Sequence, residues 1–235
     1  MISNSSQYYD SIAHNFQKVE RQRAKYNKAV DNRVVALLNQ HGPGFLLDVG
    51  CGDGRRSLEI AHRTGWRCMG LDTSENMVLR ARSIGLDVRH ADMSEDCIAD
   101  EIEHADAVTL LWNVLGHVSS SRRRHLLANC WRILSSDGML IFDVNNVLNA
   151  SEYGWKSALH NLLCSVVAPS HFLGDYVIHA SYGVKASTIS HLFYPKEITK
   201  MLTDISASGR IEYLEYDTGN SANLFTGQML VIAQK

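Results

Sequence analysis

No apolar run in the 235 residues approaches the ~18 needed to cross a bilayer, so no membrane span is expected. The opening stretch, Met1 to Ser6, has neither a basic segment nor an apolar one, and with no secretory leader to read there the expected location is cytoplasmic. Charge of one sign is equally scarce. Lys and Arg number 23 against 25 Asp and Glu, a formal charge of −2, so nothing demands a nucleic-acid partner. The five cysteines, Cys51, Cys68, Cys97, Cys130 and Cys164, are odd in number and scattered, without the paired spacing of a zinc site. They predict reduced thiols, no disulfide framework and no metal centre. No repeat, linker or low-complexity stretch divides the chain. With 45% apolar residues it suits one α/β domain over 1–235, carrying an insertion.

What is present centres on Phe45 Leu46 Leu47 Asp48 Val49 Gly50 Cys51 Gly52 Asp53 Gly54. An apolar run of strand length ends in an acid and a glycine-rich turn, and Arg55 to Arg63 then read as a helix with Leu58, Ile60 and Ala61 buried. In a strand, turn and helix of this kind, glycines let a ligand approach the backbone and free N–H groups at the helix start favour polar groups. A nucleotide-like ligand follows. The dinucleotide fingerprint places a third glycine where Arg55 stands, so NAD fits poorly. Asp48, two residues before Gly50, would repel a pyrophosphate and stabilise an ammonium group. A second strand-like run, Arg67 to Asp72, ends in an acid 20 residues after Gly52, the spacing at which a carboxylate accepts both ribose hydroxyls. Asp48 and Asp72 therefore bracket a nucleoside with a cationic amino-acid tail.

These residues resemble a known family. Leu47 to Gly54 is similar to motif I of the class I S-adenosylmethionine-dependent methyltransferases, and Gly70 Leu71 Asp72 Thr73 Ser74 Glu75 Asn76 Met77 to the segment after their second strand. His90 Ala91 Asp92 Met93 resembles their adenine-contacting segment. Leu111 to Val118 resembles the strand-four motif beside the methyl group, and the likeness continues through Leu134 to Val144. It covers about residues 45 to 145. The resemblance implies a Rossmann-like three-layer sandwich: a seven-stranded, mostly parallel sheet with an antiparallel last strand and three helices on each face. It also implies S-adenosyl-L-methionine held by Asp48, Gly50, Cys51 and Gly52 at the methionine end and by Asp72 and Thr73 at the ribose. Asp92, Met93 and Met77 would serve the adenine, with Trp112 beside the methyl group.

Strand four, Ala105 to Trp112, should point its carboxyl end at the chemistry, as ligands of open α/β sheets lie there. Trp112 is either core beneath the site or part of it. His117 is either a helix cap or a general base, and Asn113 is a second catalytic candidate. Asp143, Asn145 and Asn146 are expected on the rim that His117 occupies. Residues 7–40 read as two helices, and the resemblance makes the 1–40 segment a lid over cofactor and substrate, with Tyr9, Phe16, Arg23 and Tyr26 as site candidates. Residues 147–194 depart from the plain fold. A Trp155-containing helix or loop precedes two alternating runs around Gly183 that read as a hairpin. The resemblance makes this a cap that builds the acceptor pocket, with Trp155, Tyr176, His179, Tyr182, His191 and Tyr194 as contacts.

Arg122 Arg123 Arg124 reads as a solvated face beside an acidic segment. The expected function is methyl transfer to O or N of a small-molecule metabolite by a monomer or homodimer. A tRNA or other RNA methyltransferase is the alternative that the arginine run permits and the net charge disfavours. A non-catalytic cofactor-binding subunit is the alternative of another class. No motif names the acceptor: Asn113 is followed by Val114, not by the Pro-Pro-Tyr of amino methylation on bases, and carbon acceptors stay open.

Overall fold

The structure, a computed structural model, describes residues 4–167, 174–180 and 184–235. Seven strands form its main sheet: β1 (Phe45–Val49), β2 (Arg67–Asp72), β3 (Asp87–His90), β4 (Ala105–Leu110), β5 (Leu134–Val144), β8 (Gly209–Leu214) and β9 (Gln228–Gln234), in the order 3-2-1-4-5-9-8. β1 to β5 run parallel, with Leu47 beside both Met69 and Val108. β9 is antiparallel to both neighbours and sits inside the sheet, leaving β8 at the edge. The order reverses between β1 and β4, which makes the crevice beyond their carboxyl ends the switch point where ligands of such sheets bind.

Alternation along the strands sends one set of residues to each face. Leu47, Val49, Val108, Leu110, Leu140, Phe142 and Val231 pack with α6 (Asp96–Glu101), α8 (Ser120–Ile133) and α11 (Pro195–Asp204). Leu46, Ala107, Ile141, Leu230 and Ile232 pack with α3 (Ala24–His41) and α4 (Arg55–Thr64). On that same side Val78 and Ala81 of α5 (Glu75–Ser83) cover Val88. The expected three helices lie on each face. Ser74 caps α5 by accepting from the Met77 N–H, a contact worth about 1 kcal/mol, and Glu75 follows in the first turn.

The N-terminal region differs from the two helices expected. It holds α1 (Ser5–Ile12), a 3-10 turn (Ala13–Asn15), α2 (Phe16–Arg21) and α3, because the backbone leaves helical geometry at Asn15 and again at Arg23. β4 stops at Leu110, two residues early, since Trp112 and Asn113 both have positive φ. β5 starts at Leu134 and runs through Asp137 and Gly138. Between β5 and α11 lie α9 (Ala150–Tyr153) and α10 (Trp155–Val167), then the antiparallel hairpin β6 (Asp175–His179) and β7 (Ser187–His191). The short helix α7, Val114–His117, follows β4 directly.

Candidate active site

Gly50 opens the turn after β1 with φ +75°, and a Cβ there would lie 2.6 Å from a Val114 methyl, so the turn and α7 pack too closely for any side chain. These two segments wall a cavity of about 620 Å³ at the switch point. That volume lies within the ordinary range for cofactor sites. Among the carboxylates that line it, Asp48, Asp72 and Asp92 are pre-oriented. Asp48 accepts from the Ser57 hydroxyl (2.5 Å) and the Thr109 hydroxyl (2.7 Å). Asp72 accepts from the Gly52 and Ser74 N–H groups, both at 2.8 Å. Asp92 accepts from Ser94 and pairs with Arg122 at 3.1 Å. Burial raises the Asp48 pKa and pushes that of Asp72 up to about 6, the N–H donors offsetting only part of the desolvation. Around Asp92 the lining includes the apolar Ala91, Met93, Val118 and Leu126 together with Ser94, Ser119 and Arg122. Acids at one end and along the middle, with apolar side chains beside an acid at the other, suit a cationic nucleoside.

α1 and α2 cover this cavity. Asp10 accepts from the Ser74 hydroxyl (2.6 Å) and the Asn76 N–H (3.0 Å), and the Ser6 hydroxyl donates to the Thr73 carbonyl. Underneath, Tyr8, Ile12, Ala13 and Phe16 pack around Met77.

A second cavity, about 260 Å³, lies on the other side of Tyr9, Phe16, Trp112 and His117, which line both. Tyr8, Arg23, Asn145, Glu152, Tyr153, Tyr176 and Tyr216 supply most of its remaining polar and aromatic wall. At the junction the Tyr9 hydroxyl and His117 Nε2 are 3.1 Å apart, and Phe16 lies against Trp112 with ring centres 5.3 Å apart. Burial, reinforced by the Arg23 charge, lowers the His117 pKa to about 4, so the imidazole is neutral at physiological pH. Its Nδ1 is buried without a well-formed hydrogen bond, the Ile189 backbone offering only a weak one.

Of the residues singled out from the sequence, Asp48, Gly50, Cys51, Gly52, Asp72, Thr73, Asp92, Met93 and Trp112 come together on the larger cavity. Tyr9, Phe16, Arg23, Asn145 and Tyr176 come together on the smaller one. Several others do not serve as expected. Met77 is fully buried beneath α1, where its soft side chain fills the helix packing and does not reach the cavity. Asn113 lines the smaller cavity, but its amide is a structural tie: Nδ2 donates to Ser190 Oγ at 2.9 Å and Oδ1 accepts from the Asn145 N–H at 3.1 Å. Tyr26 is buried below Arg23, donates to Asp143 and stacks on Tyr216. Trp155 is 65% exposed on α10 against Phe225 and lines neither cavity.

Asp143 stands away from the His117 rim, accepting from the Trp112 N–H at 2.5 Å. His179 is exposed beside Ser187, His191 is clamped between Asp175 and Glu197, and the Tyr194 hydroxyl donates to the Asn161 carbonyl. Tyr182 and Gly183 lie outside the described residues. In the arginine run Arg122 and Arg124 are exposed, as expected of a solvated face, and Arg123 is not. Arg122 pairs with Asp92 and Glu95, and the buried Arg123 donates to the Leu115 and Val118 carbonyls, leaving Arg124 exposed. Sequence reasoning missed Glu152, Tyr153, Tyr216 and Gln228 on the smaller cavity and Arg123, Asp175 and Ile189 on the larger. Asp175 and Ile189 sit in the hairpin already marked as a cap, which is the one signal that could have found them.

Residues 46–138 match the model of a methyltransferase domain family. A glycine/sarcosine N-methyltransferase of Aphanothece halophytica is 27% identical over 67% of this chain and 62% of its own length. A sarcosine/dimethylglycine N-methyltransferase of Halorhodospira halochloris is 27% identical over 60% of this chain and 58% of its own. The chain thus spans about three-fifths of the length of these curated relatives. The fold is that of a crystallised S-adenosylmethionine-dependent methyltransferase of Methanosarcina mazei (TM-score 0.61, 22% identity, 82% of this chain and 92% of that one). It is also that of an amino pentose methyltransferase of Micromonospora echinaspora (TM-score 0.63, 18% identity, 93% and 95%). With the motifs in order along a sheet of this topology, residues 46–138 match a methyltransferase domain, and the chain has the fold of S-adenosylmethionine-dependent methyltransferases.

Proposed function

We propose that the protein is an S-adenosylmethionine-dependent methyltransferase that methylates O or N of a small molecule bound in the smaller cavity. One observation carries the reading: the two cavities meet at Tyr9, Phe16, Trp112 and His117, at the carboxyl end of β4. S-adenosylmethionine supplies a methyl on a sulfonium, and its carbon–sulfur bond breaks as the bond to the acceptor's lone pair forms. Asp48 and the glycine turn serve the amino-acid end, Asp72 the ribose, and Asp92 with Met93 the adenine. Most of the rate comes from alignment in a closed, apolar junction, which such displacements need above all. The neutral His117 can take the acceptor's proton through the Tyr9 hydroxyl, one proton moving to the phenol oxygen as another moves to Nε2. With a pKa near 4 it is a weak base, and it contributes less than alignment does. The helices of the 1–40 segment act as a lid, held shut by Asp10 and Ser6, and the 147–194 insertion completes the acceptor side.

The relatives named for glycine, sarcosine and an amino pentose support a small acceptor. The residues that permitted an RNA substrate, Arg122 and Arg123, are turned to other partners in the fold. The test is the purified protein alone, given S-adenosylmethionine and a panel of small amines, hydroxy compounds and amino acids, with S-adenosylhomocysteine release as readout. Turnover without a partner is expected. Cofactor binding with no turnover across the panel would favour the non-catalytic subunit instead.

A further inference from the structure

Arg23 is the one Lys or Arg among the described residues lining the smaller cavity, and it is only 7% exposed. Neither its Nε nor its Nη2 has a hydrogen-bond partner. Those two groups form one edge of the guanidinium, the fork whose spacing matches the two oxygens of a carboxylate. The cation is held in place by ring faces: its central carbon lies 5.0 Å from the centres of Tyr26 and Tyr216 and 5.5 Å from that of Trp112. Asp143 supplies a counter-charge without closing the fork. Its Oδ2 is 3.8 Å from Nη2, too far for a hydrogen bond, and its two oxygens already accept from Trp112 and Tyr26. A buried, oriented donor pair left unpaired in a cavity wall is rare in folded proteins and marks a place built for an acceptor.

We propose that Arg23 binds a carboxylate of the methyl acceptor, so that the substrates are small carboxylic acids whose nucleophilic O or N reaches the Tyr9–His117 junction. This rests on the reading of the two cavities as cofactor and acceptor sites. A monoanion fits better than a phosphate. There is a single fork, its positive charge is already partly balanced by Asp143, and Glu152 on the same cavity would oppose a second negative charge. Tyr8, Tyr153, Tyr176 and Ile178 give the remaining wall aromatic and apolar surface for the body of a small acid, and Asn145, Ser190 and Gln228 add neutral polar groups.

The test uses protein loaded with S-adenosylhomocysteine and titrated calorimetrically with glycine, sarcosine, anthranilate and 4-hydroxybenzoate, each against its primary amide. At least one acid is expected to bind about 10- to 100-fold more tightly than its amide, the range of a charge-assisted hydrogen-bond pair. Arg23→Gln should erase that ratio, and Arg23→Lys, which keeps the charge but not the fork, should retain part of it. A panel in which no acid is preferred, including one in which nothing binds, overturns the proposal, as does a preference that survives in Arg23→Gln. Affinity for S-adenosylhomocysteine, measured on every protein, separates the failures. If the wild type does not bind it, the reading of the paired cavities fails; if it binds and no acid is preferred, only the carboxylate site fails. Where Arg23→Gln itself loses S-adenosylhomocysteine, the wild-type ratio and Arg23→Lys decide.

Discussion

The floor of the larger cavity and the wall of the smaller one are built on opposite plans. On the floor three acids are pinned by donors close in sequence or on adjacent strands: Asp72 by Gly52 and Ser74, Asp92 by Ser94, Asp48 by Ser57 and Thr109. Such a surface needs little rearrangement to receive a ligand, which is the property that preorganised sites exploit. The smaller cavity instead gathers Arg23, Asn113, Asn145, Tyr176 and Tyr216 from segments far apart in the chain and leaves the Nε and Nη2 of Arg23 without hydrogen bonds. The first plan suits a ligand common to a family, the second a ligand particular to one member.

Substitutions that strike one side and spare the other would sharpen this contrast. The largest effect is expected from Gly116→Ala. A Cβ at Gly116 would overlap the Asn113 amide, which ties the strand-four loop to Ser190 and Asn145. Overpacking and two broken buried hydrogen bonds together should cost about 3 kcal/mol, seen as a lowered urea midpoint. Acceptor turnover should fall further than cofactor affinity; equal loss of both would break the contrast.

Next comes pH. Because burial raises the folded pKa of Asp72 to about 6, the carboxylate takes up a proton as pH falls through that value, and its ability to accept ribose hydroxyls goes with it. Affinity for S-adenosylhomocysteine should therefore drop by up to about tenfold per unit below about pH 6, a range in which neither end of that ligand titrates. The same group acts on the unliganded protein in the opposite sense. Between about pH 6 and 4 the folded state keeps a proton that the unfolded chain has released, so this residue's contribution to stability rises as pH falls. In Asp72→Asn both dependences should vanish; a wild-type affinity flat from about pH 7.5 to 5 would contradict the assignment.

A smaller effect is expected at the junction. His117→Ala should lower turnover by about tenfold, below the usual span for a well-matched general base. With cofactor and acceptor both saturating, so that the Asp72 effect on binding is removed, the wild-type turnover should show no inflection near the ordinary imidazole value, since this ring stays neutral down to about pH 4. A drop of several thousandfold would mean that proton transfer, and not alignment, limits the reaction.

The contrast also explains what the sequence could tell. The glycine turn, Asp48, Asp72 and Asp92 stand in local motifs within residues 45–145, whereas the sheet was expected only from the family resemblance. Met77, Tyr26 and Trp155 were misplaced. Met77 is covered by α1 from sixty-odd positions away, roughly as far as the Asp10 to Asn76 contact spans, and helical periodicity says nothing of which helix lands on it. Tyr26 is buried by Tyr216 at the far end of the chain, and Trp155 faces outward although its aromatic character suggested a pocket. Asn113 looked catalytic from its place after strand four. Its left-handed backbone and its bonds to the hairpin show a residue that shapes the loop. Arg23 was visible as a candidate, but its unpaired fork emerges only when Tyr26, Trp112 and Tyr216 close around it.

The most direct test of the central claim is calorimetric titration of S-adenosylhomocysteine into the wild type and into Asp72→Ala at neutral pH. The wild type should bind, and the variant should bind about 10- to 100-fold more weakly, as the loss of hydrogen bonds to a charged group implies. A wild type that does not bind, or a variant that binds equally well, would contradict the assignment of the larger cavity to the cofactor.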